Sequence, residues 1–133
     1  MTTTTAEISG SAAGAEDRVA VLLAKMTLAE KIGQMSQVNA GDEDPVPALG
    51  EALRAGRIGS ILNLVDVDMV NELQRIAVEE SRLGIPLMIG RDVIHGFSTV
   101  MPIPLGQAAT WNPELVREAA SVAACESAAS GIN

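Results

Sequence analysis

The residues with the most capacity for chemistry lie together, in Leu87-Met88-Ile89-Gly90-Arg91-Asp92 and the His95-Gly96 pair beyond it. Leu87 to Val93 reads as a strand entered through Ile85-Pro86, where the missing proline N–H costs little. Side chains alternate along a strand, so Met88, Gly90 and Asp92 share one face. Leu87 and Ile89 share the other, which suits packing against helices. Asp92 then falls at the strand's C-terminal end, where parallel α/β sheets and barrels bind ligands. Gly90, one step below, leaves room for something bulky. An ionised carboxylate there can accept hydrogen bonds from two neighbouring hydroxyls, each worth roughly 1.5–3 kcal/mol. The same Asp could instead cap the following turn or pair with Arg91 or another arginine, and the residues alone leave these readings open. His95 reads as a loop histidine satisfied by backbone groups. With one histidine and one cysteine in the chain, no metal site is expected. Gly96 reads as a turn glycine with positive φ.

Other reactive side chains have plainer readings. Cys125 is alone, so no intrachain disulfide is possible. Its neighbours Ala123, Ala124 and Ala128 mark it as a small packing residue, and no adjoining basic group activates it. Glu79, Glu80, Glu114, Glu118 and Glu126 fall on helices, as solvated or helix-supporting groups. Glu43 and Asp44 fall in a loop.

The elements that must position Asp92 follow from periodicity and caps. Arg18 to Met26 is helical, with Val19, Leu22 and Leu23 on one side. Thr27 and Glu30 form a capping box ahead of Leu28, Ile32 and Met35, whose spacing predicts one buried stripe. Asn39 to Pro47 reads as a loop and Ala48 to Ala55 as a short helix ended by Gly56. Ile58 to Leu62 is a short apolar strand. Asp66 or Asp68 caps a helix carrying Val70, Leu73, Ile76 and Ala77 on its inner face, ended by Gly84. After a loop with Gly96, Pro102 and Pro104, Asn112-Pro113-Glu114 starts a last helix that stops at Gly131. Strands alternating with helices predict a parallel sheet with helical crossovers. Two such strands leave bare edges, so the alternation predicts a fold that continues past Asn133.

Composition bounds the function from the other side. The 133 residues carry 17 acidic and 9 basic side chains, a formal charge of −8, so a phosphate-binding footprint is absent and no nucleic-acid partner is expected. Tyr is absent, and Phe97 and Trp111 are the only aromatics, which removes base-stacking platforms. Apolar residues make up 47%, too many for a disordered chain, and the core must come from Ala, Val, Leu, Ile and Met. Residues 1–17 read as a disordered lead-in, and residues 18–133 as the folded segment. The lead-in has no Lys, Arg or apolar run, so no secretory signal is expected. No apolar run reaches the roughly 18 residues of a membrane span, so no membrane partner is expected and the cytoplasm is the expected compartment.

Several motifs, in order, carry a resemblance. Met26-Thr27-Leu28-Ala29-Glu30-Lys31-Ile32-Gly33-Gln34, then Glu72-Leu73-Gln74-Arg75, Ser81-Arg82-Leu83-Gly84-Ile85-Pro86 and Gly90-Arg91-Asp92-Val93-Ile94-His95-Gly96 resemble glycoside hydrolase family 3, most of all its bacterial β-glucosidases. Pro102-Ile103-Pro104-Leu105 and Trp111-Asn112-Pro113-Glu114-Leu115 resemble the family's next loop and helix. The likeness runs from about Asp17 to Asn133. It implies an incomplete (β/α)8 TIM-type barrel, roughly the first two to three βα units. It also implies part of a retaining β-glycosidase that removes β-linked sugars from a non-reducing end, with a β-linked glucoside or oligosaccharide as substrate and no cofactor. Asp92 matches the family's Asp that binds hydroxyls of the terminal sugar. The nucleophile, the acid/base and the family's Lys-His pair and sugar-gripping Arg would lie beyond Asn133, so no catalytic residue is expected in this chain. Alternatives are a non-catalytic sugar-binding fragment, one that self-associates through bare strand edges, or a β-xylosidase or β-N-acetylhexosaminidase of the same family.

Overall fold

The computed structural model describes residues 5–41 and 44–133, with side-chain surroundings from residue 14 onward. In chain order the elements are α1 (Thr5–Lys25), α2 (Leu28–Gln34), β1 (Gln37–Asn39), α3 (Pro45–Arg54), β2 (Ser60–Leu62), α4 (Val67–Arg75), β3 (Met88–Gly90), α5 (Pro104–Ala108) and α6 (Pro113–Ala129). A π-helical turn, Ile76–Glu80, continues α4. The strands form one parallel sheet in the order β1-β2-β3. A sheet that adds each new strand beside the last, with a helix between, has the sequential order of a βα barrel rather than the reversed order of a doubly wound sheet.

The register explains where the core sits. Val38, Ile61 and Ile89 are aligned across the three strands. Ile61 and Ile89 are fully buried, in one cluster with Leu53 of α3, Val70 and Leu73 of α4, and Ile76 and Ala77 of the π turn. The inner-face residues read from helical spacing are therefore the ones buried. On the opposite sheet face lie Gln37, Ser60, Leu62, Met88 and Gly90. Among the described residues that face is uncovered at Met88, which is 61% exposed. The caps also hold. Thr27 and Glu30 form the capping box, Asp66 caps α4, and Asn112 with Pro113 starts α6. Gly56, Gly84 and Gly131 all have positive φ at or just beyond the ends of these helices.

The first helix, α1, begins at Thr5 and so takes in residues ahead of the helix expected from Arg18. Several expectations need correction. Gln37–Asn39 is a strand and Pro45 opens α3, so the loop expected from Asn39 to Pro47 is shorter. β1 escapes periodicity because Val38 is its only apolar residue. Proline at the first helical position is tolerated because its missing N–H would have been unpaired anyway. The same reason lets Pro104 begin α5 inside the expected loop. Leu28, Ile32 and Met35 are not buried but exposed. What docks α2 is Gly33, whose hypothetical Cβ would stand 2.0 Å from the Gly56 carbonyl oxygen. Cys125 is exposed, because the face of α6 that packs inward carries Ala123 and Ser127. Glu43 lies outside the described residues. No described helix is long and apolar enough to cross a membrane.

Candidate functional site

The C-terminal ends of the three strands open into a cleft of about 840 Å³, lined by Asn39, Asn63, Arg91, Asp92, His95 and Phe97 among others. Each strand delivers a polar group there. Asn39 ends β1, Asn63 follows β2, and Arg91 and Asp92 follow β3. Parallel strands end side by side, so residues far apart in sequence meet at one rim.

Three of these groups are linked. The Asn63 amide donates to Asn39 Oδ1 at 3.0 Å, and Arg91 Nη1 donates to Asn63 Oδ1 at 3.4 Å. Asn63 has φ +67, a left-handed conformation that asparagine tolerates better than most residues, and its backbone N–H donates to the Gly90 carbonyl at 2.9 Å. Arg91 thus reaches back to β2 rather than to its neighbour Asp92. Among the described residues Asp92 is in no ion pair. One Asp92 oxygen, Oδ1, accepts from the Ile94 N–H at 3.3 Å, the turn-capping contact that the sequence left open. A carboxylate has about four acceptor positions, so this long contact leaves most of them available to the cleft.

The loop that walls the cleft is held from behind. Gly96 has φ +94, and a Cβ there would lie 2.0 Å from the Thr99 carbonyl oxygen, so only glycine fits this turn. Met101 N–H donates to the His95 carbonyl at 2.7 Å. The Glu126 carboxylate, projecting from α6, accepts from the Ser98 N–H at 2.9 Å, the Thr99 N–H at 2.9 Å and the Thr99 hydroxyl at 2.6 Å. These hydrogen bonds, the Thr99 hydroxyl first, hold the Glu126 carboxyl below its ordinary pKa. Glu126 is therefore more than a solvated helix residue: it anchors the segment that brings His95 and Phe97 to the rim.

Chemically, the cleft offers a carboxylate acceptor, a guanidinium donor, two carboxamides and an imidazole. That set suits a neutral polyhydroxylated ligand. Asp92 is the only carboxylate among the described lining residues, and two-carboxylate hydrolysis needs a pair. Among the described residues no group of three or more His, Cys, Asp or Glu side chains is placed to hold a metal ion. Sequence reasoning brought Asp92 to this rim; it gave Arg91 no place there, read His95 as a loop histidine satisfied by backbone groups, and missed Asn39 and Asn63. Asn63 carried a faint signal, a polar residue directly after Ile61-Leu62; Asn39 carried none, because Val38 is the one apolar residue of its strand.

Comparison with known proteins gives the cleft a context. A model of the glycosyl hydrolase family 3 N-terminal domain matches residues 27–133. The chain is 41% identical over 112 residues to a periplasmic β-glucosidase from Salmonella typhimurium, covering 84% of this chain and 15% of that protein. It is 33% identical over 141 residues to β-glucosidase C from Emericella nidulans, covering 88% of this chain and 23% of that protein. A crystal structure of a β-glucosidase from Listeria innocua in complex with gluconolactone matches with a TM-score of 0.76 at 35% identity, covering 89% of this chain and 18% of that one. The chain thus spans less than a quarter of the length of each of these relatives.

Proposed function

The chain belongs to glycosyl hydrolase family 3, and from that premise we propose that it is the opening part of the barrel domain of a retaining β-glycosidase acting on β-linked glucosides. Within that enzyme Asp92 accepts hydrogen bonds from hydroxyls of the terminal sugar. The observation that carries this reading is the placement of one carboxylate, free of any described ion pair, at the C-terminal mouth of a parallel sheet. A lone carboxylate can bind a sugar but cannot serve as both nucleophile and acid/base. The two groups that break the bond then come from later in the protein, and the 133-residue chain by itself is inactive. As a separate polypeptide it associates with itself.

In the mechanism proposed, the substrate's non-reducing sugar enters from the open side of the cleft. The carboxylate of Asp92 holds a vicinal pair of hydroxyls and so fixes the ring before attack. Those hydrogen bonds tighten as positive charge grows on the ring, which places part of their value in the transition state. The first test is turnover of p-nitrophenyl-β-glucoside by the longest gene product that carries this segment. Turnover is expected there and none from the 133-residue chain. Preference for the β-xyloside or β-N-acetylglucosaminide would move the sugar assignment within the family. In the active protein Asp92→Ala should lower kcat/KM by about 100-fold, the value of one or two charge-assisted hydrogen bonds. An unchanged kcat/KM would remove Asp92 from the sugar site.

A further inference from the structure

Asp92 is not the only polar group aimed at the cleft. The relay from Asn39 through Asn63 to Arg91 crosses all three strand ends. Arg91 is a donor-only group, with five N–H donors in a planar fork, and one of its nitrogens is engaged by Asn63. It adjoins Asp92, an acceptor-only group, on the same rim. A sugar hydroxyl is both donor and acceptor, so a ring set between the two can give a hydrogen to Asp92 and take one from Arg91. The fork must be aimed for this to work, because an arginine free to rotate loses side-chain entropy on binding. Asn63 is suited to aim it. Its backbone is tied to Gly90, its amide NH2 to Asn39 and its Oδ1 to Arg91.

Building on the reading of Asp92 as a sugar-binding carboxylate, we propose that Asn63 is a positioning residue that holds the Arg91 guanidinium over the cleft, and that Arg91 donates to a hydroxyl of the same sugar. Asn63 lines the cleft, but its amide nitrogen and oxygen are taken up by Asn39 and Arg91. It acts through Arg91, so its loss is felt as weaker binding rather than as lost chemistry. Glycine adopts φ +67 freely, so Asn63→Gly removes the amide without straining the turn. Asn63→Asp keeps an acceptor for Arg91 and gives up the donor to Asn39.

The test is steady-state kinetics on p-nitrophenyl-β-glucoside with the longest gene product carrying this segment, comparing Asn63→Gly, Asn63→Asp, Arg91→Ala, the Asn63→Gly/Arg91→Ala double variant and Asp92→Ala. Asn63→Gly and Arg91→Ala should each raise KM by about tenfold, the value of a hydrogen bond to a charged group, with kcat moved much less. The double variant should match Arg91→Ala alone, because both remove one arm. Asn63→Asp should recover most of the KM lost in Asn63→Gly. If Asp92→Ala cripples the enzyme while Asn63→Gly and Arg91→Ala leave KM unchanged, the relay proposal falls and the sugar-site reading stands. Additive effects in the double variant also overturn the relay. If Asp92→Ala changes nothing, or the parent protein turns over no aryl glycoside, the underlying reading falls and takes the relay with it.

Discussion

The carboxylates of this chain look alike in sequence and do different work, and environment sorts them. Glu126 shares its helix with Glu114 and Glu118, yet it alone reaches the Ser98-Thr99 backbone. Glu114 pairs with Arg117 one turn along and stays at the surface. Asp92 sits at the cleft rim, where its one hydrogen bond among the described residues is a long contact to Ile94. Replacing Glu126 with Gln keeps the size and removes the charge that three donors converge on. Amide hydrogen exchange at Ser98 and Thr99 should then accelerate by about tenfold, with α4 and β3 exchange unchanged. Because hydrogen bonding holds the Glu126 pKa down, its contribution is present above the unfolded carboxylate pKa and is lost as pH falls through the folded value. Exchange at these amides that ignored both the variant and acid would detach Glu126 from the loop. The place of Asp92 near the C-terminal end of β3 was legible from the apolar run before it, although the strand stops at Gly90 and not at the expected Val93. Glu126 was not, since its partners lie 27 and 28 residues away and depend on how α6 docks.

At the scale of elements, α2 shows how a short helix is fixed without an apolar stripe. Its N-terminus is closed by Thr27 and Glu30, and Arg82 crosses from the segment before β3 to meet the same carboxylate at 2.6 and 2.8 Å. The Arg82 hydrogen bond, with the Thr27 backbone second, lowers the Glu30 pKa from 4.5 to about 2. The sign follows: folding is favoured by ionised Glu30, fully above the unfolded pKa near 4.5, and this support drains away as pH falls toward 2. Urea unfolding of the parent and of Glu30→Gln should therefore differ at pH 6 and converge near pH 2. Thr27→Ala, which deletes the cap, should cost about 1 kcal/mol. Gly33→Ala should cost more, about 3 kcal/mol, since its Cβ would collide with the Gly56 carbonyl, a backbone atom that cannot swing aside. The capping box was readable because its four residues are contiguous. The Gly33 contact was not, because a glycine's value lies in what it lets approach. The same limit hid β1, whose one apolar residue is a strand only because Ser60–Leu62 lies beside it.

For the molecule as a whole, burial is lopsided. Ile61, Leu73, Ile76 and Ile89 are sealed between the sheet and α4 with its π turn, while Leu28 and Ile32 of α2 and Met35 just after it are 74%, 55% and 78% exposed. An amphipathic helix with its apolar side to water gains nothing from that side until something covers it. The sheet has two edges, and they differ. Along β3, Asn133 gives its N–H to the Ile89 carbonyl at 3.1 Å and accepts from the Ile89 N–H through Oδ1 at 2.9 Å, so this edge is partly occupied. β1 forms the other edge, with no strand beyond it among the described residues. One of the two expected bare edges is thus partly occupied, and the exposed apolar side of α2 is a further uncovered surface. Self-association of the 133-residue chain should follow the apolar face more than the strand edge. Sedimentation velocity across a hundredfold concentration range should show growing complexes for the parent. Ile32→Glu should suppress them while shifting the urea midpoint by no more than about 0.5 kcal/mol, because an exposed side chain supports little of the fold. A variant that associates as strongly as the parent would place the contact on β1 instead. A variant that unfolds would mean that Ile32 packs inward in solution, against its exposure in the structure.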